Sequence, residues 1–175
     1  MATRIRVELE TVESLLFFWK QVSEREKVNE LYIIGITEMQ GFKDIYEDEF
    51  NAEAVRRVLS AVTNKEILSG MNKKEGRFWN NNLWMMEDLE YTNAMSSPIK
   101  QLNLDSLLPD IAKLPFDEVI VEFVPGHQFE YKIMKNKLLI NFFKVMPDLT
   151  GSGLQPTIEG KEMKEYIAGK IAEMK

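Results

Sequence analysis

The stretch 72–91, NKKEGRFWNNNLWMMEDLEY, is the segment around which the sequence predicts the fold to be organised. It begins with basic residues, ends with acidic ones, and concentrates aromatic, sulfur and amide side chains between them. Asn72 and Glu75 have the spacing of a helix capping box, in which each side chain hydrogen-bonds the backbone of the other residue. Gly70, just upstream, suits a left-handed residue that ends the preceding helix. The sequence therefore predicts a helix from Asn72 to Tyr91.

One face of this helix is apolar. At about 100° per residue, its apolar side chains fall within a single arc, which we expect to be buried; they are Phe78, Trp79, Leu83, Met85, Met86 and Leu89. Asn82 lies near the middle of that arc. Because a buried amide without partners costs about 1–3 kcal/mol, we expect Asn82 to hydrogen-bond to neighbouring backbone or to a trapped water.

The opposite face combines aromatic, amide and charged groups, namely Arg77, Asn80, Asn81, Trp84, Asp88 and Tyr91. One interpretation is a recognition surface, in which the rings form a flat platform, the guanidinium binds an anion and the amides fix orientation. The other is that Trp84 and Tyr91 pack beneath a neighbouring loop, while Arg77 and Asp88 are solvated or paired. The sequence leaves both interpretations open.

Composition limits the class of protein. At 175 residues, with 45% hydrophobic and 29% charged residues, the chain has the size and composition of a single globular domain spanning 1–175. The formal charge of −6 disfavours electrostatic binding to nucleic acid. The absence of cysteine excludes disulfides and thiol nucleophiles. No apolar run has the length of a signal peptide or a membrane span, so we expect a soluble cytoplasmic protein that binds neither membranes nor nucleic acid.

Two regions alternate apolar and polar residues as β-strands do. The first runs from Arg4 to Glu10 and is expected at a sheet edge. The second, 116–146, contains three alternating runs separated by turns at 125–126 and 135–137, which is typical of an antiparallel meander. The predicted fold class is α+β, with an antiparallel sheet made of this C-terminal meander and the N-terminal strand, covered by several helices.

Helical periodicity predicts the remaining elements. Thr11 is expected to cap a helix that docks on the sheet. Asn51 is expected to cap another helix, which ends near Ser69 and pairs antiparallel with the central helix. A short helix is expected before Pro115. The last helix, starting near Gly160, has one apolar side formed by Met163, Tyr166, Ile167, Ile171 and Met174.

Three segments are harder to interpret. LYIIGIT at 31–37 is ambiguous, and its β-branched residues favour a strand after a short helix. TNAMSSPIKQ at 92–101 is predicted to be a connection, since Pro98 disfavours helix continuation. The loop with Gly151 and Gly153 lacks the residues of a phosphate-binding motif, and we interpret it as a connection.

Catalytic and metal-binding signals are weak. His127, the only histidine, follows a turn at the end of a strand and is a weak catalytic candidate that Glu122 or Glu130 could orient, although a lone hairpin histidine is more often solvated. The acidic residues at 44–49 lack the spacing of a calcium loop. The sequence therefore predicts no metal and no cofactor, and it leaves open whether the protein is an enzyme.

The leading functional hypothesis is a non-catalytic binding or interaction module whose partner is another protein or a second copy of the chain, as in a homodimer. It depends on the ten methionines, which make adaptable surfaces, and on the aromatic residues of the central helix. The alternative is a protein or enzyme that binds a small polar ligand in a pocket around Arg77, Asn81, Trp84 and Asp88, with His127 contributed by the hairpin.

Overall fold

The computed structural model of the protein describes residues 2–147 and 156–175. The described chain contains both helices and sheets, and the predicted α+β class is confirmed. Its residues form two compact units. One comprises 2–9, 93–123 and the described residues of 130–175, and the other comprises 10–92 and 124–129. The expectation of a single domain stays a prediction.

The first unit contains a four-stranded sheet. Its strands are β1 (Arg4–Glu8), β2 (Glu118–Val124), β3 (Tyr131–Met134) and β4 (Lys137–Asn141), and their order across the sheet is β1-β2-β4-β3. The N-terminal strand thus lies at an edge, as predicted. The interior strands β2 and β4 are the most buried, which fits their apolar sequences.

Two details of this sheet differ from the predicted antiparallel meander. Strand β4 lies between β2 and β3, whereas a meander would place the three strands in sequence order. Strand β1 pairs with β2 in parallel, with Arg4 opposite Glu118 and Glu8 opposite Glu122. Alternating residues reveal that a strand has two unlike faces, but they do not specify its neighbour or its direction, so the sequence pattern could not decide either point.

A second sheet of three short antiparallel strands follows, formed by β5 (Val145–Met146), β6 (Thr157–Ile158) and β7 (Lys161–Glu162). The connection predicted around Gly151 and Gly153 lies outside the described residues. Strand β7 leads directly into the last helix of the chain, α8 (Met163–Ile171). The predicted apolar side of this helix is confirmed, since Met163, Tyr166, Ile167 and Ile171 are buried; Met174 is buried too, but it lies beyond the end of the helix.

The second unit is helical. It contains α1 (Glu10–Ser23), α2 (Glu30–Thr37), α3 (Gln40–Lys43), α4 (Ala52–Asn64) and α5 (Lys73–Glu87). The predicted cap of α4 is confirmed, because the Asn51 side chain accepts a hydrogen bond from the Ala54 amide. Helix α5 packs against both α1 and α4, so the central position predicted for it within the helical layer is also confirmed.

The expected strand at 31–37 is wrong, because this segment is helix α2. The Asn29 side chain caps it by accepting from the Leu31 amide at 2.7 Å. Ile33 and Ile36 are buried where α2 packs against α4. The apolar residues of this segment do not repeat at helical spacing, because the outer face of α2 is apolar as well; Leu31 on that face is 75% exposed.

The expected end of α4 near Ser69 is also wrong. The helix ends at Asn64, and Lys65 adopts the left-handed conformation that terminates it. Gly70 does have a positive φ of 72°, but it lies in the connection before α5. Ile67, which was expected to close the helix, is 94% exposed.

The segment expected to connect the helical and β regions is instead helix α6 (Leu89–Lys100), with Pro98 inside it. Proline removes one backbone hydrogen bond and restricts the preceding residue. Met95 and Ile99 are nearly completely buried, and the packing of these side chains outweighs the local preference. A 3₁₀ turn (Asp105–Leu107) then leads into α7 (Leu108–Ile111), which confirms the short helix expected before Pro115.

Candidate functional site

The start of α5 is fixed by the predicted capping box. The Glu75 amide donates to the Asn72 Oδ1 atom at 2.8 Å, and the Asn72 amide donates to Glu75 Oε1 at 3.3 Å. Arg57 of α4 approaches the other carboxylate oxygen of this buried glutamate at 3.5 Å. The capping residue thus also takes part in the α4–α5 contact. The helix is shorter than expected, since it ends at Glu87 and Tyr91 belongs to α6.

The inner face of α5 is organised around Asn82, which is completely buried between Phe78 and Met85 along the helix. Its Nδ2 atom donates to the Phe78 carbonyl at 2.7 Å, and its Oδ1 atom accepts from Trp19 Nε1 of α1 at 2.7 Å. The prediction that this amide is buried and hydrogen-bonded to neighbouring backbone is therefore confirmed. Four further members of the predicted apolar arc are half-buried: Trp79, Leu83, Met86 and Leu89.

The outer face of α5 is open to solvent. The exposed residues recur at intervals of four, three, four and three along the helix, and together we call them the outer stripe: Lys73, Arg77, Asn80, Trp84 and Glu87. Trp84 is 65% exposed, so the interpretation that it packs beneath a loop is wrong. Exposed indole is unusual on a solvated helix and is characteristic of interaction surfaces.

Asp88 and Tyr91 lie where α5 meets α6. Asp88 is exposed and ends α5, and its Oδ1 atom accepts a hydrogen bond from the Tyr91 amide at 3.0 Å. Tyr91 is half-buried in the first turn of α6. The Asp88 carboxylate therefore caps a helix, a structural role that accounts for its presence without a ligand.

Asn81 turns away from the outer stripe and contacts the loop 124–129. Its Nδ2 atom lies 3.2 Å from the carbonyl oxygen of His127 and 3.4 Å from that of Gly126. The structure thus brings Asn81 and His127 together, as the alternative functional hypothesis requires. However, the contact uses the backbone of His127 and occupies the amide nitrogen of Asn81.

The imidazole of His127 is buried, with only 8% of the residue exposed. Its ring centroid lies 4.8 Å from that of Phe50 and 5.9 Å from that of Phe129. Its Nε2 atom lies 2.8 Å from Glu47 Oε1. The expectation of a solvated hairpin histidine is therefore wrong. The carboxylate 2.8 Å from Nε2 is therefore that of Glu47, and not that of Glu122 or Glu130, which the sequence had suggested.

Glu47 links His127 to the first turn of α5. The same carboxylate oxygen lies 2.9 Å from Lys74 Nζ, and this hydrogen bond raises the pKa of Lys74 above its ordinary value. Glu47 and Phe50 exchange both backbone hydrogen bonds, which holds 47–50 as a tight turn. Sequence reasoning missed this cluster because eighty residues separate its two halves, and neither half has a local pattern that points to the other.

The acidic residues at 44–49 do not converge. Within residues 2–147 and 156–175, no group of three or more histidine, aspartate or glutamate side chains is arranged to hold a metal ion. Of these acidic residues, Glu47 contacts Lys74 and His127, and Asp44 Oδ1 accepts from the Gln40 side chain at 2.6 Å.

The described residues of the first unit line at least two surface cavities. The larger, of about 520 Å³, lies between the end of α6 and the start of α8, and the smaller, of about 190 Å³, lies between β1 and α7. Neither is lined by a residue of the predicted sites.

Comparisons with known proteins place the chain in no family. No family model matches the sequence, no curated protein matches it, and no solved structure matches its fold. In the described part of the chain, no helix combines the length and apolar composition needed to cross a membrane. The outer stripe keeps Arg77, Asn80 and Trp84 of the surface predicted from the sequence and adds Lys73 and Glu87 to them.

Proposed function

We propose that the protein is a non-catalytic interaction module that binds a protein partner through the outer stripe of α5. The observation that carries this proposal is the 65% exposure of Trp84 on a helix whose other face is packed into the core. Burying an indole at an interface yields a large apolar area at a low cost in side-chain entropy. Trp is accordingly enriched among the residues that dominate binding energy.

The charged residues of the stripe support the same proposal. Arg77 and Glu87 form no ion pair with any residue in the described part of the chain, so both remain available to a partner. Neighbouring charges are already used, since Lys74 pairs with Glu47. Aromatic residues and arginine are enriched at the interfaces of protein partners, and charged residues commonly surround them.

The alternative, a small polar ligand bound by Arg77, Asn81, Trp84 and Asp88, has less support. Asn81 Nδ2 is directed to the backbone of the loop 124–129, and Asp88 Oδ1 accepts from the Tyr91 amide. Two of the four proposed ligand-binding groups therefore already have partners.

An absence of cysteine fits a reducing compartment, and we include cytoplasmic location in the proposal on that basis.

Site-specific photo-crosslinking tests the proposal. A photoreactive amino acid at position 80, inside the stripe, should give an adduct of discrete mass in an extract of the source cells. The same amino acid at exposed Glu66, in the connection between α4 and α5, serves as the matched control and should not. Trp84→Ala in the position-80 protein should abolish the adduct. An adduct that persists in the Trp84→Ala protein, or equal adducts from both positions, would contradict the proposal.

A further inference from the structure

We infer that the partner of the outer stripe is a second copy of the chain, packed antiparallel with the twofold axis beside Asn80. This inference rests on the proposed function, because it names the partner of that same surface. The stripe runs through the fifteen residues from Lys73 to Glu87, which lie about 21 Å apart along the axis at 1.5 Å per residue. Its alternating spacing of four and three keeps the five side chains on one face of the helix, along which a second helix can lie.

The charges of the stripe complement themselves in this arrangement. Lys73 lies seven residues before Asn80 and Glu87 lies seven residues after it. A twofold axis beside Asn80 therefore places Lys73 of each copy opposite Glu87 of the other, forming two equivalent ion pairs. A parallel arrangement would instead place like charges opposite each other. Isologous interfaces require this kind of self-complementarity.

The central residues are complementary in the same register. Asn80 meets its own copy at the axis, where each amide can donate to the other's carbonyl oxygen. Arg77 lies three residues before the axis and Trp84 four residues after it, so a guanidinium of one copy approaches the indole of the other. Arginine over the face of Trp is a favourable cation–π pair.

Gly76 provides space for that indole. It lies four residues before Asn80, directly opposite Trp84 of the second copy. A Cβ atom at Gly76 would meet nothing within 4 Å in the protein's own fold, so packing within the chain does not require glycine. Glycine nevertheless disfavours a helix interior relative to alanine. The open space above Gly76 accommodates a bulky ring from a second copy.

The helix dipole points to the same partner. Lys73 is in the first turn of α5 and Glu87 is its last residue, so each charge lies at the end of the dipole that disfavours it. In the antiparallel dimer, Lys73 lies over the partner's carboxyl end and Glu87 over the partner's amino end. Charges that are unfavourable in one copy thus become favourable in two.

Charge reversal with sedimentation velocity tests the inference. The wild type should dimerise across a concentration series, and Lys73→Glu or Glu87→Lys should each raise the dissociation constant about tenfold or more, because both ion pairs become repulsive. The two single variants should recover association when mixed, since every contact then joins opposite charges, and the double variant should recover it alone. At low concentration, each single variant should unfold at a temperature no lower than that of the wild type, because each new charge interacts favourably with the helix dipole.

The outcomes separate the two proposals. A wild type that stays monomeric, single variants that dimerise as the wild type does, or a mixture that fails to associate would overturn the antiparallel dimer. If position 80 then still gives a Trp84-dependent adduct in extract, the interaction module stands with a different partner. If it gives none, both proposals fail.

Discussion

The indole nitrogen Nε1 of Trp19 donates a hydrogen bond to Oδ1 of Asn82 across 2.7 Å, and both side chains are completely buried. This bond joins α1 to α5 at a point where the surrounding side chains are apolar. Asn82 Nδ2 donates in turn to the Phe78 carbonyl of its own helix at 2.7 Å. The amide therefore has a definite orientation, which fixes where the indole of Trp19 can lie.

Replacing Asn82 with leucine should lower the free energy of unfolding by about 1–3 kcal/mol, because Trp19 Nε1 would lose this acceptor in a buried position. The same substitution at Asn80, on the exposed face of the same helix, is the matched control and should change stability by no more than about 0.5 kcal/mol. Urea unfolding of both variants, at concentrations where association is negligible, measures the difference. Equal effects at the two positions would contradict the structural role of Asn82.

Two glycines should respond oppositely to alanine. Gly76→Ala should stabilise the fold by about 0.5–1 kcal/mol, since its Cβ meets no neighbour and alanine favours a helix. Gly41→Ala should destabilise it by about 1–3 kcal/mol. There the new Cβ would lie 2.5 Å from Thr11 Oγ1, the atom that accepts from the Gly41 amide at 3.0 Å. Denaturant midpoints of the two variants check the opposite signs, and a loss of stability at Gly76 would contradict the prediction.

Features set by neighbouring residues could be predicted from the sequence. The capping box of Asn72 and Glu75 depends on a three-residue spacing, and the apolar side of α8 depends on a helical period. Both are local patterns that keep their meaning in any fold. The buried, hydrogen-bonded state of Asn82 could be predicted for a related reason, because its position on the helix fixed its surroundings.

Features set by residues distant in the sequence could not be predicted from it. Strand β4 lies beside β2 through pairing that no local pattern encodes. Helix α2 and the continuation of α6 through Pro98 are held by packing that outweighs local preference. In the candidate site, the surroundings of His127 could not be predicted either, because its neighbours Glu47 and Phe50 come from a turn about eighty residues earlier. The exposure of Trp84 could be proposed from its helical face but required the structure to decide it.

The burial of His127 predicts a stability effect that a solvated histidine would not have. His127→Ala should cost about 2–4 kcal/mol, because it leaves a cavity against Phe50. His127→Phe keeps an aromatic ring against Phe50 and loses the contact with Glu47, so it should cost less. Thermal or urea unfolding of the pair separates packing from the polar contact. A change within about 0.5 kcal/mol for His127→Ala would place the imidazole in solvent.

Tyrosine titration should distinguish the buried phenols. Burial raises the pKa of Tyr32, Tyr46 and Tyr166 above the ordinary value of about 10. For Tyr166 the hydrogen bond that its hydroxyl donates to Glu130 at 2.6 Å raises the pKa further. The near-ultraviolet absorbance of tyrosinate should therefore develop at higher pH in the folded protein than in urea. Tyr46→Phe and Tyr166→Phe should each remove part of the late phase.

The raised pKa of Tyr166 also fixes the sign of a stability change. Below about pH 10 the phenol is protonated in both states, and Tyr166→Phe should cost about 1 kcal/mol for the lost hydrogen bond. Above about pH 10 the phenol of the unfolded chain releases its proton, while that of the folded protein retains it. The free energy of unfolding of the wild type therefore falls by up to about 1.4 kcal/mol per pH unit through this residue, whereas that of the variant does not. The cost of Tyr166→Phe should therefore shrink and then reverse as pH rises. Urea unfolding at about pH 8 and about pH 11 measures the change, and an identical cost at both values would mean that the phenol ionises equally easily in the folded and unfolded chains.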